Sequence, residues 1–249
     1  MSNFQHYSKY YDLLYKDKKY KEESQYVIKK MNQFAPKAAQ IVELGSGSGS
    51  HAHYFCEAGF KVTGIEKSQE MLAVAKSKNI VGFNPILGDI SSFELPQQFD
   101  VALSLFHVIS YLTQNESLIN CFKTVHRQLN TEGLFMFDVW YSPAVYHQKP
   151  ETRIKRLEDD TLAIIRLAES KMELDTNVVE VNFEVLIKDK STHISESITE
   201  KHLMRHFSIP EVKMLAAFTG FEVVLTEEFL TGNSPSEDTW GVFFILKKI

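Results

Sequence analysis

A chain of 249 residues, 44 % hydrophobic and 24 % charged, has room for one elaborated domain or a domain plus a subdomain, and its composition excludes disorder, collagen and coiled coil. With 27 basic against 32 acidic residues the net charge is −5, which argues against a nucleic-acid partner. Two cysteines, Cys56 and Cys121, are too few for a disulfide framework or a thiolate metal site, and both read as packing thiols.

The N-terminal stretch lacks the long apolar core of a secretory signal, and no run of about 18 apolar residues follows it, so the expectation is a cytoplasmic protein with no membrane partner. Residues 1–35 are aromatic and charged, and Val27, Met31 and Phe34 recur at helical spacing. From Gln40 onward strands alternate with helices. Residues 41–44 form a short β-branched run ending in glycines, 50–58 a helix closed by Gly59, and 61–66 a second strand. Ser68 caps a helix carrying Met71, Leu72 and Ala75; residues 84–89 and 99–106 are the third and fourth strands. Thr113 and Glu116 stand at capping-box spacing before a helix with Leu118, Phe122, Val125 and Leu129 on one stripe, and Gly133 falls in the turn beyond. Residues 133–140 are almost uniformly apolar, as a strand covered on both faces should be. This rhythm predicts a doubly wound α/β domain with a mostly parallel sheet.

After Trp140 the rhythm breaks. Residues 153–207 show no helical period, whereas Val179, Val181, Phe183, Val185 and Ile187 alternate with mostly polar neighbours, the pattern of an antiparallel strand with one covered face. Ser208 and Glu211 make a second capping box ahead of a helix with Val212, Leu215 and Phe218 that ends at Gly220. Residues 222–229 and 240–248 close the chain as strands. The expected division is 1–140 with 208–249 as the α/β domain and its N-terminal helical cap, and 141–207 as an antiparallel insert.

Residues 43–49 read Glu-Leu-Gly-Ser-Gly-Ser-Gly between the first strand and a helix. Such glycines let the backbone turn sharply and approach a ligand, and the helix start beyond them offers unpaired N–H groups. A dinucleotide fingerprint wants its third glycine three residues after the second, but here Gly49 comes one residue early and position 50 is Ser. Glu66 ends the second strand, where a carboxylate can accept both hydroxyls of a ribose. Asp89 ends the third, where it could accept from an exocyclic adenine amine.

In this loop, Glu66, Gly88-Asp89-Ile90 and Phe99-Asp100-Val101, residues 40–140 resemble the successive motifs of class I S-adenosylmethionine (AdoMet) methyltransferases. The resemblance implies a seven-stranded sheet and AdoMet as cofactor; no metal is expected, since no His/Asp/Glu cluster stands at ligand spacing. It also implies a cofactor-binding set of Tyr11, Tyr15, Glu43, Gly45, Ser46, Gly47, Gly49, Glu66, Lys67, Met71, Asp89, Ile90 and Leu105. Beyond the core, Tyr10-Tyr11-Asp12, Tyr15, Lys19-Tyr20, residues 104–112 and His202-Leu203 resemble the nucleotide-sugar N,N-dimethyltransferases. In those enzymes the N-terminal tyrosine region closes over the cofactor and the insert roofs the acceptor pocket. The chain departs from them near its end, with Asp238-Thr239-Trp240-Gly241 where an Arg-Gly pair would meet nucleotide phosphates. The implied acceptor is a small molecule, an amino sugar or a nucleotide-linked sugar, and the implied assembly is a monomer or homodimer.

Methyl transfer from a sulfonium is an in-line displacement that needs no covalent enzyme intermediate, so positioning and a proton acceptor are the groups to seek. The catalytic candidates are His107 after the fourth strand, His202 in the insert, and Tyr141. Tyr111, Trp140, Tyr141 and Tyr146 also follow strand ends and are candidates to wall a pocket. Two other readings share the loop: an NAD-dependent oxidoreductase, which the glycine spacing disfavours, and a non-catalytic AdoMet-binding module. Adenine methylation of nucleic acid is disfavoured because Leu105-Phe106-His107 stands where an Asn/Asp-Pro-Pro-aromatic run belongs.

Overall fold

The computed structural model describes residues 14–249. Helix α1 (Tyr20–Phe34) precedes β1 (Gln40–Leu44), α2 (Ser50–Glu57), β2 (Lys61–Glu66), α3 (Gln69–Ser77) and β3 (Phe83–Leu87). There follow β4 (Phe99–Ser104), a short 3-10 turn over Val108–Tyr111, α4 (Asn115–Gln128), β5 (Leu129–Tyr141) and α5 (Ser142–Gln148). The chain ends with β6 (Arg153–Glu158), β7 (Leu162–Glu173), β8 (Val178–Asp189), β9 (Ser195–Phe207), α6 (Ile209–Phe218), β10 (Phe221–Glu228) and β11 (Gly241–Lys248).

The main sheet has the expected seven strands in the order β3-β2-β1-β4-β5-β11-β10, all parallel except β11, which runs against both neighbours. Period-two alternation explains why its strands are apolar throughout. In β5, Phe135, Phe137 and Val139 point to one face and Leu134 and Met136 to the other. The first face packs against Leu118, Phe122 and Val125 of α4 and Val212 and Ala216 of α6. The second packs against Val27 and Met31 of α1 and Ala52 and Phe55 of α2. Phe122 meets Phe135, Phe137 and Phe221 edge-on, so its truncation to Ala should cost roughly 3–5 kcal/mol.

Strands β6 to β9 form an antiparallel meander. Among the described residues its strand ladder joins the main sheet through two parallel pairs, Trp140 with His206 and Tyr141 with Phe207. Ile164, Val185, Ile187 and Ile198 cover Leu14 on its inner face, and Val179 and Val181 pack on Val145 beside Trp140 and Trp240.

Three local expectations change. Strand β5 begins at Leu129, directly at the end of α4, so Gly133 lies inside the strand and not in a turn. The Thr113 capping box does not form: α4 starts at Asn115 behind Gln114, with no side-chain cap. Arg205 of β9 takes over that helix start, donating to the Thr113 carbonyl (3.3 Å) and Asn115 Oδ1 (2.7 Å). At the second box, Ser208 Oγ accepts from the Glu211 N–H as expected, but the Glu211 carboxylate pairs with Arg205 at 2.7 Å. Helix α5 is an addition with a weak signal, about two turns with Pro143 at its start.

Candidate active site

The C-terminal ends of β1, β2, β4 and β5 open into a cleft of about 780 Å³, roofed by the inner face of the insert. Its size and place suit a ligand crevice of an open α/β sheet.

On the body side the glycine loop leaves β1 and returns into α2. Gly47 has φ +55°, and its N–H donates to Glu66 Oε2 at 2.8 Å while the Ser68 N–H donates to Oε1 at 2.8 Å. Glu66 thereby ties the loop, the end of β2 and the start of α3 together. Burial pushes its pKa up against the pull of those N–H groups. Glu43 lies beneath the loop with Oε2 buried and without a hydrogen-bond partner; burial, reinforced by the charge of Glu66, pushes its pKa up to about 8. Ser46 Oγ is likewise buried without a partner. Two unsatisfied polar atoms at one loop carry a desolvation cost that a ligand with donors and acceptors can offset.

The far end of this wall is Asp89. Lys67 reaches it across the rim at 2.8 Å, and Ser91 donates its N–H (2.9 Å) and hydroxyl (2.6 Å). Burial alone would raise the Asp89 pKa, but these partners bring it down to about 2. Above the loop, His51 of α2 meets Glu23 of α1 at 2.7 Å, and Glu23 pairs in turn with Lys18. Tyr20 lies edge-on to His51, 4.9 Å between centroids, so α1 and the residues before it are fastened over the loop.

After β4, Phe106 and His107 both take left-handed backbone, φ +65° and +60°. Neither is glycine, and each costs on the order of 1 kcal/mol in that region. The turn sets His107 into the cleft with Nδ1 2.7 Å from Asp138 Oδ2 but out of line for a hydrogen bond, while the His107 backbone N–H donates to Asp138 Oδ1 at 3.2 Å. Burial would raise the Asp138 pKa, and His107 more than reverses it, holding the carboxyl below the usual range. Tyr15 edge-on at 5.2 Å and Lys18 at 3.9 Å cover the Phe106 ring.

On the insert side, His202 Nδ1 lies 2.7 Å from the Tyr111 hydroxyl. Arg166 lies over the rings of Tyr15 and Phe183. Trp140 and Trp240 meet at 5.5 Å between centroids, with His107 against Trp140.

The cleft thus gathers Tyr15, Gly45, Ser46, Gly47, Glu66, Lys67, Met71, Asp89, Ile90 and Leu105 of the expected cofactor set, together with His107 and His202. Tyr11 lies outside the described residues. Glu43 stands behind the loop. Gly49 is off the cleft: a Cβ there would sit 2.7 Å from the Phe83 ring at φ +78°, so packing explains the glycine. Tyr141 is also off the cleft, because alternation along β5 sends Trp140 toward it and Tyr141 into the core under α4 and α6. Arg205 is the staple on α4. Sequence reasoning missed His51 with Glu23, Asp138 and Arg166. A polar residue inside an apolar strand was the available signal for Asp138.

A family model for a methyltransferase domain matches residues 41–133, from β1 into β5. The strand order is that of the class I methyltransferase fold, and the protein is an enzyme, a methyltransferase whose cofactor is S-adenosylmethionine. The oxidoreductase and the non-catalytic module are thereby set aside. The chain is 27 % identical over 219 residues to YqeM of Bacillus subtilis (strain 168), covering 86 % of this chain and 85 % of that one. It is 26 % identical over 225 residues to the dTDP-3-amino-3,4,6-trideoxy-alpha-D-glucopyranose N,N-dimethyltransferase of Streptomyces venezuelae, covering 89 % and 91 %. In fold it is similar to an S-adenosylmethionine-dependent methyltransferase from Clostridium acetobutylicum ATCC 824, with TM-score 0.83, 19 % identity and 96 % of each chain covered. Among the described residues no helix is long and apolar enough to cross a membrane.

Proposed function

We propose that the protein N-methylates a small amino sugar. The observation that carries this reading is the pair of histidines, His107 held by Asp138 and His202 against Tyr111, on the wall of the cleft that also holds the glycine loop. An amine acceptor must arrive at the methyl group with its lone pair exposed, and imidazole is the side chain chemically suited to take up a proton near neutral pH. The likeness to an amino-sugar N,N-dimethyltransferase along 89 % of the chain supports the same class.

S-adenosylmethionine, when bound, supplies an electrophilic methyl on a sulfonium. In this reading Glu66 accepts from its ribose, the Lys67–Asp89 rim flanks its adenine, and Glu43 with Ser46 serves its amino-acid end. His107 orients the acceptor amine, and its ring is fixed by Asp138. Trp140, Trp240 and Phe183 wall the sugar. Arg153 and Arg166 give the acceptor wall its positive charge, a role for which the chain has no Arg-Gly pair at 238–241. Holding amine and methyl in line can supply roughly 7–11 kcal/mol of the barrier reduction.

The test is incubation with S-adenosylmethionine and the dTDP-linked 3-amino-3,4,6-trideoxyglucose, alongside the free amino sugar and its 3-hydroxy analogue. Mass spectrometry should show one or two methyl groups on an amino sugar and none on the hydroxy analogue. Methylation of the hydroxyl alone, or of neither amine while S-adenosylhomocysteine binds, overturns the amino-sugar assignment.

A further inference from the structure

Glu200 plays no part in the site as described, yet its placement gives it one. It lies two residues before His202 on β9, so alternation turns both side chains to the inner face of the insert. His202 is buried and Glu200 half-buried, with 5 % and 8 % of their side chains exposed, and Glu200 Oε2 lies 3.0 Å from His202 Nε2. The other ring nitrogen, Nδ1, faces the Tyr111 hydroxyl at 2.7 Å. Tyr111 comes from the 3-10 turn after β4, so the row Glu200–His202–Tyr111 runs from the insert into the body. Tyr111 and His202 both line the cleft, and Glu200 does not.

The chemistry of the row has a direction. An ionised carboxylate only accepts, so the proton of a neutral imidazole sits on Nε2, where Glu200 takes it up. Nδ1 is then the basic nitrogen, and the Tyr111 O–H donates to it. Burial, together with the charges of Tyr15 and Glu200, pushes the Tyr111 pKa above its ordinary value, so the phenol stays protonated and gives up its proton only as it receives another. Phe183 packs edge-on against the imidazole at 4.9 Å between centroids, and Arg166 of β7 lies over that same Phe183 ring. Among the described residues, Glu200 and Tyr111 contact the His202 ring, and Tyr15 and Arg166 lie near it through Tyr111 and Phe183.

We infer that Glu200, His202 and Tyr111 form a proton relay for the acceptor, with Glu200 as a positioning residue acting through His202. The acceptor ammonium gives a proton to the Tyr111 oxygen as Tyr111 passes its own to His202 Nδ1. The freed nitrogen lone pair bonds to the methyl carbon, and the carbon–sulfur bond electrons return to sulfur. His202 ends as an imidazolium facing Glu200, and the product leaves as a methylated ammonium. Charge and protons balance with no further reactant.

This relay rests on the amino-sugar reading, but its test has an arm that needs no acceptor. Imidazole 15N NMR of the unliganded protein, with the His202 signals assigned by their loss in His202→Asn, should show Nε2 protonated and Nδ1 bare. Glu200→Gln keeps the shape and an acceptor oxygen but removes the charge. It should lower the His202 titration midpoint by about one pH unit or more, since a carboxylate neighbour favours imidazolium. On the amino-sugar acceptor the acid limb of kcat should move down with that midpoint, while KM and S-adenosylhomocysteine affinity change less than about twofold. His202→Asn and Tyr111→Phe should each lower kcat roughly 10²-fold, and together no more than either alone. A His202 protonated at Nδ1, or a midpoint indifferent to Glu200→Gln, overturns the relay whatever the acceptor proves to be. A shifted midpoint with an unmoved kcat limb reduces Glu200 to a structural staple and leaves N-methylation standing. Failure of every amino sugar to react would instead fault the acceptor class, with the NMR arm still judging the relay.

Discussion

The two walls of the cleft are built in different ways. On the body side polar groups are set by backbone: Glu66 is held by the N–H groups of Gly47 and Ser68, within one loop and one helix start. On the insert side they are set by side chains far apart in the chain: Tyr111 meets His202 across 91 residues, and Arg166 meets Tyr15 across 151. A site made of local backbone is rigid before any ligand arrives. A site made of distant side chains depends on how two sheets are docked, and it is free to vary with the acceptor.

Substitutions that strike one wall only should break this contrast cleanly. Glu66→Ala should weaken S-adenosylhomocysteine binding by roughly 1.5–3 kcal/mol in calorimetric titration, the scale of hydrogen bonds to a charged group, and an unchanged affinity in folded protein would remove Glu66 from the donor side. The seam between the walls should respond to acid. His206 is buried, accepts or donates at Ser142 Oγ (2.8 Å), and has its pKa lowered to about 4 by burial and by the charge of Arg205. The unfolded chain takes up that proton near pH 6.5 and the folded chain does not, so stability is present above about 6.5 and falls as pH drops toward 4. Urea unfolding at pH 7 and pH 4.5 should differ by on the order of 2 kcal/mol from this residue, and His206→Gln should flatten the difference.

His107 faces both walls. His107→Ala should lower methyl-transfer turnover about tenfold with donor affinity intact, and survival of full turnover would leave His107 a structural residue and the chemistry to His202. The smallest effect is expected at the staple: Arg205→Lys keeps the charge but loses the fork that spans Asn115 and Glu211, for about 1 kcal/mol in unfolding experiments. A loss of S-adenosylhomocysteine affinity in this variant would mean that the walls are coupled.

The same contrast explains what could be read in advance. The body was legible because its information is periodic and local: apolar runs at strand spacing, a glycine loop, and acids at the ends of β2 and β3. The strand end was misjudged at Leu129 because α4 passes into β5 without a turn, and Tyr141 was misplaced because a one-residue phase along β5 separates cleft from core. Glu200 escaped notice because a carboxylate two residues from a histidine is ordinary in an exposed strand; only the fold shows the two side chains in contact and little exposed. Asp138 offered a signal, an acid amid Phe137 and Val139, whose partner His107 only the fold supplies.

The narrow junction between β5 and β9 carries a consequence for how such enzymes diversify. The chain leaves the body at Tyr141 and comes back at Phe207, and those two residues are register partners on adjacent strands, about 4.8 Å apart. To the body the whole excursion is a detour that begins and ends at one doorway, after which α6 and β10 proceed as if uninterrupted. Roofs of other lengths and chemistries can be exchanged through that doorway while the donor half keeps its register, its core and its loop.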